Sequence, residues 1–221
     1  MPFQDRTDAG RQLARALLKY EGRQPVILAL PRGGVLVAAE IAERLDAPLD
    51  LVLVRKIGVP LQPELAMGAV VDDDEPVRNA DVIELAGISE QTFDAVCREE
   101  RAEIARRRSR YLGSRARAEV RGHVAIIVDD GIATGATTLA AIRALRTRKP
   151  KELILAVPVA PVETLERLHS EVDVIVCLET PQDFGAIGYY YRDFRQVSDD
   201  EVIATLKRFP AKPAASVPPA F

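Results

Sequence analysis

Two adjacent carboxylates, followed at once by a loop of small and hydroxylated residues, stand near the middle of this chain. The stretch is VAIIVDDGIATGATTLAAIRALR, Val124 to Arg146. An apolar run leads into Asp129 and Asp130, the loop follows, and a helical pattern begins. A loop between a buried strand and a helix start offers unpaired backbone N–H groups and the positive end of a helix dipole, an anion site suited to phosphate. Gly131 and Gly135 let the backbone approach closely, and the hydroxyls of Thr134, Thr137 and Thr138 add donors. Two carboxylates beside a phosphate would repel it unless they face a cation or the hydroxyls of a sugar. A phosphorylated sugar accompanied by Mg2+ satisfies both halves of the motif. No Gly-Lys-Ser/Thr follows the strand, so this is not the nucleotide P-loop.

The elements that must position these groups alternate between strand and helix patterns. RTDAGRQLARALLKYEG reads as a helix with Thr7 or Asp8 at its N-cap and Gly22 as its stop. PVILAL, Pro25 to Leu30, reads as a strand buried on both faces, GVLVAAEIAERLDA as a helix, and LDLVLVRKI as a second buried strand. MGAVVDDDEPVRN suggests a hairpin, and SEQTFDAVCREERAEIARRRSRYL a long helix capped by Ser89. HVAIIVDD, KELILAVPVA and VDVIVCLET read as further strands, TTLAAIRALRTR, VETLERLHS and SDDEVIATLKRF as helices, the last capped by Ser198. This alternation predicts an α/β fold, a parallel sheet with helices on both faces. Ligands of such sheets sit beyond the carboxyl ends of the strands. Four strand ends carry unusual polar sequences, PRGG, RKIG, DDGIATGAT and ETPQDFG, and are expected to converge on one edge.

Composition excludes several classes. The chain has 221 residues, 48% hydrophobic and 29% charged, enough for one full globular core. A formal net charge of -3 argues against coating nucleic acid. The arginine-dense stretch Arg98 to Arg121 is mixed with Glu99, Glu100, Glu103 and Glu119, which favours a solvated helix face or a subunit contact over a nucleic-acid face. The polar start MPFQDRTDAG lacks a signal peptide's apolar core, and no run of about 18 apolar residues could span a membrane. Cys97 and Cys177 lack metal or CxxC spacing, Cys177 reads as core, and His123 and His169 have no partners at ligand spacing. A cytoplasmic protein with free thiols is the expectation. The Pro/Ala-rich tail from 210 to 221 is expected to be disordered, leaving 1 to 209 as the folded domain.

VAIIVDDGIATGATT closely resembles the ribosyl-phosphate fingerprint of the type I phosphoribosyltransferases. The resemblance runs over most of Val26 to Phe194, in the family's motif order, and points to the bacterial group with PRGG, RKIGVP and DDGIATGAT. It implies a small hood, from about 181 to 195 plus N-terminal elements, above the sheet. It implies that 5-phosphoribosyl 1-diphosphate (PRPP) binds with its ribose hydroxyls on Asp129 and Asp130. Gly131, Ile132, Ala133, Thr134, Gly135, Ala136 and Thr137 would then wrap the 5′-phosphate. LPRGGV resembles the family's pyrophosphate loop, with Gly33 and Gly34 allowing close approach, Arg32 meeting the diphosphate, and a cis non-proline peptide at Pro31–Arg32 or Arg32–Gly33. Lys56, and Arg55 beside it, would lie near the diphosphate, and Ile57 to Met67 corresponds to a mobile loop that closes over PRPP. In PQDFGAIGYYYRDF, Phe184 or one of Tyr189, Tyr190 and Tyr191 could stack on a flat acceptor, Phe184 being the choice.

The implied reaction moves the phosphoribosyl group of PRPP to a nitrogen acceptor such as a nucleobase, with Mg2+ as cofactor, no membrane partner, and a homodimer as a common assembly. Asp129, Asp130, Arg32 and Lys56 are the residues expected to carry it. Family members for 6-oxopurines carry an acidic residue where this chain has Ala133, which makes a hypoxanthine or guanine acceptor less suitable. The alternative is a PRPP-sensing regulator without catalysis, for which the arginine-dense helix would be the contact with nucleic acid. Retention of Arg32 and Lys56 favours catalysis.

Overall fold

The computed structural model describes residues 2–209. In chain order the helices are α1 (Arg6–Ala16), α2 (Gly33–Arg44), α3 (Ala80–Leu85), α4 (Glu90–Leu112), α5 (Ala136–Thr147), α6 (Val162–His169) and α7 (Asp199–Lys207). The strands are β1 (Pro25–Ala29), β2 (Leu49–Leu51), β3 (Val54–Val59), β4 (Gln62–Val71), β5 (Val77–Arg78), β6 (Val124–Val128), β7 (Glu152–Val159) and β8 (Val174–Glu179). The expected tail from 210 to 221 lies outside the described residues.

A five-stranded sheet in the order β2-β1-β6-β7-β8 is parallel throughout. Every residue of β1 and β6 is buried because both sheet faces are covered, as their unbroken apolar runs required. The two faces divide the strands by alternate residues. Ile27, Ala29, Ile126 and Val128 pack with α1, α2, α4 and α7, while Val26, Leu28, Ala125 and Ile127 pack with α5 and α6. From β1 the chain first adds β2 on one side and later β6 on the other, so the winding reverses between β1 and β6. That crevice is where open α/β sheets bind ligands.

Two local expectations are corrected. The run LDLVLVRKI is not one strand. Only Leu49–Leu51 joins the parallel sheet, and Val54–Val59 turns out to pair antiparallel with β4 in a separate three-stranded sheet, β3-β4-β5. The clue is Asp50, 2% exposed inside an apolar run. It accepts from Arg108 Nη2 at 3.2 Å and from the Ala118 amide at 2.8 Å, which ties the sheet edge to α4 and the segment after it. The N-cap of α1 is Asp5, whose carboxylate accepts the Asp8 amide, not Thr7 or Asp8. The helix ends by Leu17, and a short 3-10 turn, Leu18–Tyr20, intervenes before Gly22.

The small sheet packs into the core through Ile57, Met67 and Val70 and is tied to it by ion pairs as well. Arg148 at the end of α5 bonds Asp72 at 3.0 Å and Asp74 at 2.7 Å, and Arg55 on β3 bonds Glu100 on α4 at 2.5 Å. The segment expected as a mobile loop, Ile57 to Met67, is the tip of the β3–β4 hairpin, with Leu61 fully exposed. The hood joins the N-terminal segment to the stretch after β8. Phe3 bridges Tyr191, the Phe3 amide donates to Tyr190 O at 2.7 Å, and the Asp193 amide donates to Gln4 O at 2.9 Å. Cys97 and Cys177 are both free, and Cys177 is half-buried rather than core, its thiol pushed up to about 11 by burial.

Candidate functional site

PRGG and DDGIATGAT leave the carboxyl ends of neighbouring strands, since Ala29 on β1 pairs with Val128 on β6. The chain turns at once into α2 after the first and reaches α5 after the second. The Pro31–Arg32 peptide is cis, at one of the two bonds expected. Gly33 and Gly34 lie against the acidic pair. A Cβ on Gly33 would sit 1.8 Å from Asp130 Oδ2, and one on Gly34 would sit 2.8 Å from Val128 O and 3.0 Å from Asp129 Cα. Only glycine admits these approaches.

Asp129 and Asp130 are half-buried side by side. Asp129 Oδ1 accepts the Asp130 amide at 2.8 Å. Burial, and then the charge of Asp130, push the Asp129 carboxyl well above the ordinary carboxylate range. Asp130 is gripped from the hood. Arg6 donates from Nε to Asp130 Oδ2 at 2.7 Å, and Tyr191 donates its hydroxyl to Asp130 O at 2.6 Å. Burial and the neighbouring acid raise the Tyr191 phenol, keeping it a protonated donor.

The loop after the acids forms a cradle whose carbonyls are held from α6. Thr164 Oγ1 donates to Ala133 O at 2.7 Å, and Arg167 Nη2 donates to Thr134 O at 2.9 Å. Gly135 takes φ +72° at the N-cap of α5. The first backbone bond into that helix is from the Leu139 amide to Gly135 O, which leaves the amides of Ala136, Thr137 and Thr138 at the positive helix end. Ala133, Thr134, Ala136 and Thr137 are exposed there. Ile132 differs from the rest of the expected cradle, because its side chain is in the core and its amide is given to Val159 O at 3.0 Å. Gly131 has φ +152°, and a Cβ there would meet Ile187 of the hood at 2.5 Å.

The expected cations do not all point into this crevice. Arg32 lies 3.8 Å from Asp199 at the start of α7, and Asp199 also takes Arg110 at 2.9 Å and the Tyr111 hydroxyl at 2.6 Å. That hydroxyl first, and then Arg110 and Arg32, hold the Asp199 carboxyl below its usual range. Lys56 pairs with Glu64 across the hairpin at 3.1 Å. Phe184 stacks on Tyr190 with centroids 5.7 Å apart and an interplanar angle of 23°, so one ring face is already covered. Among the described residues no cluster of three or more His, Cys, Asp or Glu is placed to hold a metal.

Sequence reasoning missed Arg6, Thr164 and Arg167. Arg6 had a signal: it shares the buried face of α1 with Ala9, Gly10 and Leu13, an odd place for a cation. Six arginines of α4 and the segment after it have partners within the fold. Arg106 and Arg107 bond Glu103, Arg108 bonds Asp50, Arg110 bonds Asp199, Arg115 bonds Leu49 O, and Arg117 bonds Asp73.

A family model described as the phosphoribosyl transferase domain matches residues 4–194. Two curated Mycobacterium tuberculosis proteins, from strains CDC 1551 and H37Rv and named as phosphoribosyl transferases, are each 48% identical over 206 residues. The match covers 93% of this chain and 46% of theirs, so the chain spans about half the length of these relatives. The crystal structure of TT1426 from Thermus thermophilus is similar with a TM-score of 0.84 and 41% identity, over 96% of this chain and 100% of that one. No helix of the described residues is long and apolar enough to cross a membrane.

Proposed function

From a chain that belongs to the phosphoribosyl transferase domain family, we propose transfer of the 5-phosphoribosyl group of PRPP to a nitrogen acceptor, a nucleobase, with release of pyrophosphate. The observation that carries the reading is the meeting of PRGG and DDGIATGAT at the reversal between β1 and β6, within contact of each other through Gly33 and Asp130.

Each group then has a task. The free amides of Ala136, Thr137 and Thr138 and the hydroxyls of Thr134 and Thr137 take the 5′-phosphate. Asp129 and Asp130 take the ribose 2′ and 3′ hydroxyls. The diphosphate lies over Gly33 and Gly34, at the N-terminus of α2, where backbone N–H groups meet its charge. The bond from C1 to the diphosphate oxygen breaks, the electron pair leaves with pyrophosphate, and the acceptor nitrogen forms the new bond to C1 as its N–H proton passes to water or the departing pyrophosphate. Positive charge that grows on the ribose ring in between is stabilised by the carboxylates below it. Arg32 and Lys56 reach the leaving group by exchanging Asp199 and Glu64 for phosphate oxygens, an exchange that charge-assisted bonds to a dianion favour. The hard oxygens of Asp129 and Asp130 suit Mg2+, which would take its other ligands from PRPP and water and neutralise the diphosphate. Phe184 offers one ring face to a flat acceptor, and Ala133 makes a 6-oxopurine the less suitable one.

The carboxylates interleaved with the arginines in and after α4, Glu103, Asp50 and Asp73 among them, offset their positive charge, which weakens the alternative of a PRPP-sensing regulator that contacts nucleic acid.

The test is calorimetric titration of PRPP with Mg2+ into the wild type and Asp130→Asn. Binding that is saturable in the wild type and weakened by about tenfold or more in the variant supports the site and justifies a search for pyrophosphate release over nucleobases. No binding to the wild type sinks the reading.

A further inference from the structure

Arg6 is a buried cation that the proposed reaction does not use. It is 7% exposed, enters at the first residue of α1, and lies 124 residues from its partner in sequence. Its guanidinium is committed on three sides. Nε donates to Asp130 Oδ2 at 2.7 Å, Nη1 donates to Arg195 O at 2.9 Å, and Cζ lies over the Phe194 ring, 4.0 Å from its centroid. A Cβ on Gly33 would sit 2.8 Å from Arg6 Nε, so the guanidinium also backs onto the PRGG loop. A plain fastener between the helix and the hood would need only the Arg195 and Phe194 contacts. The bond to Asp130 places a buried charge on the residue that is to meet the ribose.

We propose that Arg6 is a positioning residue of the ribose site: it fixes the Asp130 carboxylate through Oδ2, so that the other oxygen meets the ribose hydroxyl, and it joins the order of the hood to sugar binding. This rests on the reading that the site takes PRPP. Asp130 sits at the end of β6, and its carbonyl is held by Tyr191, so one acidic residue carries hood contacts on both its backbone and its side chain. Without Arg6 the carboxylate would lie beside Asp129 with no buried counter-charge, and the two acids would splay apart or the Asp130 side chain would rotate away from the crevice. Either outcome removes the acceptor that the sugar hydroxyl needs. Lysine cannot replace the fork fully, because a single ammonium cannot donate to Asp130 and to Arg195 O in the same plane while stacking on Phe194.

The experiment is calorimetry of PRPP with Mg2+ on the full chain, for the wild type, Arg6→Lys, Arg6→Met, Asp130→Asn and the Arg6→Met/Asp130→Asn double variant, each first checked for a cooperative thermal transition. The expected result is a loss of affinity of about tenfold or more in Arg6→Met, partial rescue in Arg6→Lys, and little further loss when Arg6→Met is added to Asp130→Asn, since the pair acts as one unit. A purely structural role would weaken binding by the same factor in both backgrounds. If Arg6→Met does not fold, Arg6→Lys carries the test, because affinity within about twofold of wild type would overturn the proposal. Arg6→Met that binds like the wild type, or that costs as much in the Asp130→Asn background, overturns it while leaving the PRPP site intact. Wild type that binds no PRPP overturns the site reading and this inference together.

Discussion

Gly33 and Asp130 are packed so closely that a methyl group on the glycine would lie 1.8 Å from Asp130 Oδ2. The two residues come from neighbouring strand ends, so the contact is where the PRGG loop and the acidic pair are brought into register. Arg6 completes the cluster, with its Nε 2.7 Å from the same oxygen.

Gly33→Ala should therefore act on the ligand site more than on the fold. The new Cβ cannot remain beside Oδ2, and the Asp130 side chain must rotate away from Arg6 or the loop must lift. Loop and side chain can both yield, so a stability loss of about 1–3 kcal/mol is expected. PRPP affinity should fall by about tenfold or more, because the carboxylate leaves its place. Chemical denaturation and calorimetry on the same preparation check both halves, and unchanged affinity would mean that the Gly33 contact does not set the site.

The fold was legible because its signals are local. Unbroken apolar runs such as Val124–Val128 announce strands buried on both faces, and the loops after β1 and β6 carry their chemistry in consecutive residues. Where LDLVLVRKI leaves the sheet was not legible, since β2 and β3 share one apolar run and the exit is set by Asp50 binding Arg108, 58 residues away. The grips on the site were hidden for the same reason. Thr164 and Arg167 reach the cradle across 31 and 33 residues, and nothing near them in sequence shows it. The motif names the groups proposed to face the ligand, and residues distant in sequence hold those groups still.

The cradle gives a second prediction. Thr164 is buried and its hydroxyl donates to Ala133 O. Thr164→Val keeps the shape and removes the donor, leaving a carbonyl without its partner, which costs about 1–3 kcal/mol. With that carbonyl released the loop can turn it toward the phosphate, so ribose 5-phosphate should bind several-fold more weakly in a competition titration. Equal binding would show that the α6 contact supports the fold alone.

Nucleic acid supplies a third. Because carboxylates beside Arg106, Arg107, Arg108, Arg110 and Arg117 offset their charge, and the whole chain carries a formal net charge of -3, a gel-shift titration with RNA or duplex DNA should show no complex at about 0.15 M salt. A complex whose affinity falls linearly with the logarithm of salt would expose free basic surface and revive the regulatory reading.

Asp129 yields the last, with a definite sign. Its folded-state carboxyl is raised by burial and by Asp130, so the folded protein holds that proton more tightly than the unfolded chain does. The contribution of this group is therefore complete below the unfolded value, about 3.9, and is lost as pH rises through the raised folded value. Above the unfolded value the burial of this group beside Asp130 is a cost that ribose hydroxyls or a cation would relieve. Asp129→Asn removes the ionisation and can still accept the Asp130 amide through its side-chain carbonyl. It should raise Tm relative to the wild type at pH 8, by an amount that shrinks toward pH 4, and it should weaken PRPP binding at both. Paired thermal melts across that range decide it. A Tm difference that does not change with pH would mean that Asp129 does not titrate differently in the folded and unfolded states, and that the acidic pair is not held under electrostatic tension.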